Sequence, residues 1–97
     1  MPWAVEALDD AVRLVLSGHV DIFEAAPLRE LMLELAGEPR RVEVDLAGCD
    51  DIDGSGLQLL LAFRVARATR GRPVSFVGGR DRVARLFVRF GLESAWA

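Results

Sequence analysis

The sequence predicts an α/β fold, a small mixed β-sheet with helices mainly on one face. Two observations carry that prediction. Short runs alternate apolar and polar residues at the strand period, and between them lie segments with apolar residues spaced i, i+3, i+4, i+7. Their order is hairpin, helix, strand, helix, strand, helix, which implies right-handed crossovers and parallel pairing in part of the sheet.

The first strand spans about residues 3–8 and turns back through Asp9-Asp10 as a hairpin. In the second, Val12, Leu14 and Leu16 share one face and Arg13 lies on the other. Leu28, Leu31, Met32 and Leu35 then repeat at helical spacing until Gly37 stops the helix. That spacing places Pro27 in the first turn, where its missing N–H does no harm. Val42, Val44 and Leu46 alternate with Glu43 and Asp45 in a third strand, and Val74 and Phe76 flank Ser75 in a fourth. The helix predicted over 56–69 has almost no polar face in its first half, so it should be the most buried. The last helix carries Val83, Leu86, Phe87 and Phe90 and ends at Gly91. A sheet with one apolar face takes helices on that side and water or a partner on the other.

Composition narrows the chemistry. The 97 residues are 52% hydrophobic and 28% charged, which fits one globular domain spanning 1–97. Net charge is −3, which argues against a nucleic-acid surface. All twelve basic residues are Arg, and the chain has no Lys, Asn or Tyr. Cys49 alone cannot form an internal disulfide, and His19 alone cannot anchor a Cys/His zinc site. The longest apolar run, 59–63, is far short of the ~20 residues of a spanning helix. No basic region precedes an apolar run at the N-terminus, so no signal peptide is expected. The expectation is a cytoplasmic protein without metal or cofactor.

The informative stretch is 48–57, Gly-Cys-Asp-Asp-Ile-Asp-Gly-Ser-Gly-Leu, read as a loop between the third strand and the buried helix. Asp50, Asp51 and Asp53 crowd the carboxyl end of a strand, where open α/β sheets place their sites. Gly54 and Gly56 allow special backbone conformations and keep the space around Ser55 open. Ser55 fits a helix N-cap, with Gln58 completing a capping box. A phosphate on the same hydroxyl would meet free N–H groups at the positive end of the helix.

This stretch resembles the signature of STAS domains (sulphate transporter and anti-sigma factor antagonist). Asp45-Leu46-Ala47-Gly48 followed by Asp53-Gly54-Ser55-Gly56-Leu57 is similar to the family's D-L-S-G, short spacer, D-[ST]-[SA]-G-L. Gly18-His19-Val20-Asp21 resembles its earlier G-x-[LV]-D element, and Gly71-Arg72-Pro73-Val74 with the last helix and Gly91-Leu92 matches its C-terminal half. The likeness, to a stand-alone bacterial STAS domain, spans nearly the whole chain in order. Gly54 departs from the family's common first hydroxyl, while Ser55 matches the position phosphorylated in anti-sigma factor antagonists.

The resemblance implies a regulatory protein-binding module and not an enzyme. Its partner would be an anti-sigma factor of the serine-kinase-like ATPase type, with a serine phosphatase reversing the modification. Docking would use Asp21, Asp53, Gly54, Ser55, Gly56, Leu57 and Gln58, and phosphorylation of Ser55 would add roughly −1.5 to −2 charge there. Helix N–H groups would hold that phosphate. The alternative is a non-phosphorylated STAS scaffold subunit in a lipid-transport ABC complex or a chemotaxis assembly. Enzyme readings fail on missing groups. A phospho-aspartate receiver lacks its Lys, a serine hydrolase lacks the G-x-S-x-G spacing, and a P-loop lacks G-K-[ST].

Three features stand apart. Arg82, Arg85 and Arg89 share a face of the last helix, read as solvated, with an acidic partner as the alternative. His19 is placed in a loop near Ser55, and Cys49 is read as structural because neighbouring Asp50 disfavours a thiolate. Trp3 and Trp96 would cover the open side of the sheet or mediate self-association.

Overall fold

The computed structural model describes residues 3–20, 22–78 and 80–89, apart from the side chains at 22–24, 80, 83 and 87. Strands β1 (Trp3–Ala7) and β2 (Ala11–Val20) form the expected hairpin. They are followed by α1 (Ile22–Ala36), β3 (Arg41–Ile52), α2 (Gly54–Ala68), β4 (Val74–Val77) and α3 (Arg80–Arg89). The sheet order is β1-β2-β3-β4, with β2, β3 and β4 parallel and β1 antiparallel. This is the predicted mixed α/β sheet.

One face of the sheet makes the core. Val12, Leu14 and Leu16 of β2 and Val42, Val44 and Leu46 of β3 are buried against Leu28 and Met32 of α1 and Leu57, Leu60 and Phe63 of α2. Ala84 and Leu86 of α3 pack against the same cluster. The opposite face carries a charge ladder: Arg13 pairs with Glu43 at 3.1 Å and Glu6 at 3.8 Å, and Arg41 adds Glu43 at 3.7 Å. Trp3 stands opposite Leu16 in the register and packs, half buried, on the core side, so it does not cover the open face. Trp96, Phe90, Gly91 and Leu92 lie outside the described residues.

Three local expectations change. Residues 48–52 are the end of β3, not a loop, and His19 lies in β2 opposite Asp51. The β2–β3 register shifts between Val15 and Ser17 and again between Gly18 and His19, each time giving β3 one extra residue. Buried positions along β3 therefore run 42, 44, 46, 49, 52. A β-bulge inserts an unpaired residue and resets the pleat, so the simple alternation stops at Leu46 although the strand continues. Asp45 Oδ1 accepts the Ala47 N–H at 2.9 Å, pinning the first shift, and Gly18 at φ 65° serves the second.

Helix α1 begins at Ile22, which puts Pro27 sixth, in the second turn and exposed. The periodic apolar residues begin only at Leu28, so the earlier turn left no spacing signal. Helix α2 buries Gly56, Leu57, Leu60, Phe63 and Arg67, while Gln58, Ala62 and Val65 face solvent. Its all-round apolar first half thus resolves into one buried stripe and an apolar outer flank.

The buried charge on α2 was not anticipated. Arg67 is 1% exposed, and its guanidinium donates to the carbonyls of Leu35 (3.1 Å), Glu38 and Arg40 (2.9 Å). Arg70 and Arg72 add bonds to Ala36 and Gly37. Helix α1 has no basic residue in its own last turn. The cations that satisfy its C-terminal carbonyls and dipole come from α2 and the turn after it. Burial pushes the Arg67 pKa down and Arg72 adds to that, with Glu38 opposing.

Candidate functional site

The candidate site lies where β2 and β3 end and α2 begins. Asp53 joins β3 to α2 with extended backbone, φ −88° and ψ −178°. Its N–H donates to the Val20 carbonyl at 3.2 Å, tying the turn to β2. Its side-chain Oδ1 accepts the Gly56 N–H at 3.0 Å, and its carbonyl accepts the Leu57 N–H at 3.0 Å. Asp53 is therefore the N-cap of α2, and the expectation that Ser55 caps the helix is corrected. The short acid side chain one residue before the helix takes the capping position first, leaving Ser55 as the second helical residue.

The two glycines differ from each other, and neither has positive φ. A Cβ on Gly56 would sit 2.4 Å from Ile52 Cγ1 and 3.1 Å from Val20 Cγ1. Gly56 is thus required by the close approach of α2 to the ends of β2 and β3. A Cβ on Gly54 would meet nothing within 4 Å. Both were expected to supply unusual backbone, and neither does.

Around this turn the structure gathers Asp53, Gly54, Ser55, Gly56, Leu57 and Gln58 on one continuous segment. Leu57 points into the core and Gly56 is buried, so they build the site from beneath. Ser55 is half buried and Gln58 exposed. The Ser55 hydroxyl makes no hydrogen bond among the described residues. Asp21 lies outside them. Asp50, Asp51 and Asp53 are exposed and give this end a negative rim, with His19 Nδ1 3.6 Å from Asp51 Oδ2. Both side chains of that pair are more than 65% exposed (71% and 67%), so it adds little stability.

Cys49 is buried beneath this rim, its Sγ–H 3.6 Å from the Asp51 carbonyl. Burial pushes its thiol pKa up, Arg82 pulls it back and Asp50 raises it further, so burial is the chief reason it is not a thiolate. Arg82 donates to the Leu46 carbonyl at 3.3 Å and is half buried. Of Arg82, Arg85 and Arg89, only Arg85 and Arg89 face solvent. Among the described residues no three His, Cys, Asp or Glu side chains converge to hold a metal.

Beside Ser55 runs a groove between α1 and α2. Its upper part, about 440 Å³, is lined by Ala25, Ala26 and Arg29 against Ser55, Gln58, Leu59 and Ala62. A lower hollow of about 240 Å³ continues from Arg29 and Leu59 past Met32, Leu33, Phe63 and Ala66. Sequence reasoning passed over Arg29. No spacing or motif in the sequence marks it, because its place opposite Ser55 is set by the packing of α1 on α2.

A parallel β2-β3-β4 core with an antiparallel first strand and helices on one face is an architecture shared with anti-sigma factor antagonists. The antagonist SpoIIAA in its unphosphorylated form superposes with a TM-score of 0.70 at 14% identity, covering 88% of this chain and 82% of that one. An anti-sigma factor antagonist from Mycobacterium paratuberculosis gives 0.68 at 20% identity over 95% and 79%. Mglu gives 0.67 at 27% identity over 75% of this chain, which spans only 18% of Mglu. No curated protein matches. The family model described as "Mlab, STAS domain" matches residues 3–94, and the chain belongs to that STAS family.

Proposed function

We propose that the protein is a partner-binding regulatory domain, cytoplasmic and non-enzymatic, switched by phosphorylation of Ser55. The observation that carries this reading is the freedom of the Ser55 hydroxyl. Asp53 caps the helix, so Ser55 is not needed for the fold and its half-exposed oxygen is available to a kinase. The docking surface is formed by Asp53, Gly54, Ser55 and Gln58 on the segment that Gly56 and Leu57 anchor, together with Asp21. The partner class is a serine-kinase-like ATPase of the anti-sigma factor type, with a serine phosphatase to reset the switch.

A phosphate here adds roughly −1.5 to −2 charge to a rim that already holds three carboxylates. An acidic or apolar partner surface is repelled or pays desolvation, while the helix keeps its own cap. The Mlab description of the matching family model, with Gly54 in place of a first hydroxyl, favours a second reading. In it the same surface docks constitutively in a scaffold, such as a transporter or chemotaxis assembly. Mass spectrometry after incubation with ATP and a serine-kinase-like ATPase of the anti-sigma factor type separates the two. A single phosphate on Ser55 is expected, and unmodified Ser55 with intact binding would leave the scaffold reading.

A further inference from the structure

The end of α2 is poorly suited to receive a phosphate on Ser55. Its cap position is filled by the Asp53 carboxylate, 3.0 Å from the Gly56 N–H. Asp50 and Asp51 lie exposed on the same rim, and His19 is engaged with Asp51. A dianion on the next residue but one is pushed away from that end. A phosphate held by the helix N–H groups, as expected from the sequence, would therefore have to share that end with the Asp53 carboxylate.

The groove between α1 and α2 offers a different receiver. Ser55 and Arg29 line the same hollow of about 440 Å³, with Ala25, Ala26 and Ala62 leaving the space between the helices open. Arg29 is the one ionisable side chain lining either part of the groove. Its guanidinium makes no ion pair or hydrogen bond among the described residues. Guanidinium and phosphate match in charge and in bidentate geometry, and the long Arg side chain can swing across a gap walled by alanines.

We propose that a phosphate carried by Ser55 turns into the α1–α2 groove and pairs with Arg29, withdrawing the one cation among the described residues that line this groove. This inference rests on Ser55 being the modified residue. Its consequence is a local charge reversal: one positive charge in the groove mouth becomes a net of about −1 when roughly two negative charges are added. In the unmodified protein Arg29 is free to meet an acidic group on the docking partner. In the modified protein it is taken from within, so the groove changes sign without any change of fold.

The test uses the full chain with phosphoserine installed at position 55 by genetic code expansion, so no kinase is involved. The second ionisation of a phosphoserine falls near pH ~6 and is read by ³¹P NMR titration. Pairing with Arg29 lowers that midpoint by about half a unit or more relative to the same protein carrying Arg29→Gln. Arg29→Lys, which keeps the charge without the fork, recovers part of the shift. Arg89→Gln, an exposed cation on α3, leaves the wild-type midpoint in place. Equal midpoints in wild type and Arg29→Gln, or an equal change in Arg89→Gln, would overturn the pairing. Because the phosphate is installed synthetically, this titration stands apart from the kinase reaction. A normal Arg29-dependent shift with no enzymatic modification of Ser55 would sink the switch and leave the pairing intact.

Discussion

At the scale of single residues, the site turns on which of two neighbours holds the helix. Asp53 accepts from Gly56, and the Ser55 hydroxyl is unbonded among the described residues. Asp53→Ala is therefore expected to cost about 1 kcal/mol of stability, while Ser55→Ala stays within about 0.5 kcal/mol. Urea denaturation of both variants measures this, and the reverse order would return the cap to Ser55. The glycines give a second contrast. Gly54→Ser, which restores the hydroxyl common in the family, enters open space and should leave stability unchanged or slightly raised. Gly56→Ala forces a methyl against Ile52 and Val20 and should cost about 1–3 kcal/mol. Thermal melts of the two variants will separate them, and equal melting points would contradict the close approach.

At the scale of elements, the joint between α1 and β3 is held by a helix that follows it in sequence. Arg67 supplies hydrogen bonds to three carbonyls at the end of α1 and the turn beyond it. Arg67→Met keeps much of the side-chain volume but removes all three bonds, leaving the Leu35 carbonyl with only the Glu38 N–H. Bonds to a charged donor are worth about 1.5–3 kcal/mol each and are not additive, so a loss of about 3 kcal/mol is expected. For a domain of this size that lowers Tm by about 12 °C or more, read by calorimetry. A drop below about 3 °C would show that the collar is redundant.

Element types were legible in the sequence because period 2 and period 3.6 are set by a single buried face. The order of β1, β2, α1, β3, α2, β4 and α3 follows from that patterning alone. What stayed hidden depends on contacts between elements. Two bulges shift the pleat of β3 after Leu46, so its last five residues look like a loop. Arg67 reads as one more surface cation until α1 ends beside it. Asp53 and Ser55 are both good capping residues, and only the extended backbone at Asp53 decides between them. The site segment itself was legible from its carboxylates, glycines and lone hydroxyl. Arg29 was not, since its place opposite Ser55 exists only once α1 and α2 pack side by side.

At the scale of the whole molecule, the parts divide between a rigid frame and a surface that can change charge. The core between the sheet and the helices, the arginine collar and the cap at Asp53 need nothing from Ser55. The acidic rim, the Ser55 hydroxyl and the upper part of the α1–α2 groove lie together at the other end of α2 from the collar. A phosphate there alters what a partner meets and leaves the frame alone. Far-ultraviolet circular dichroism and melting of the phosphoserine-55 protein should accordingly match the unmodified protein. The most direct test is calorimetric titration of the partner ATPase with unmodified and phosphoserine-55 protein side by side. The switch predicts binding at least ten times weaker for the modified form, about 1.4 kcal/mol, with the fold unchanged. Equal affinity for the two forms would contradict it.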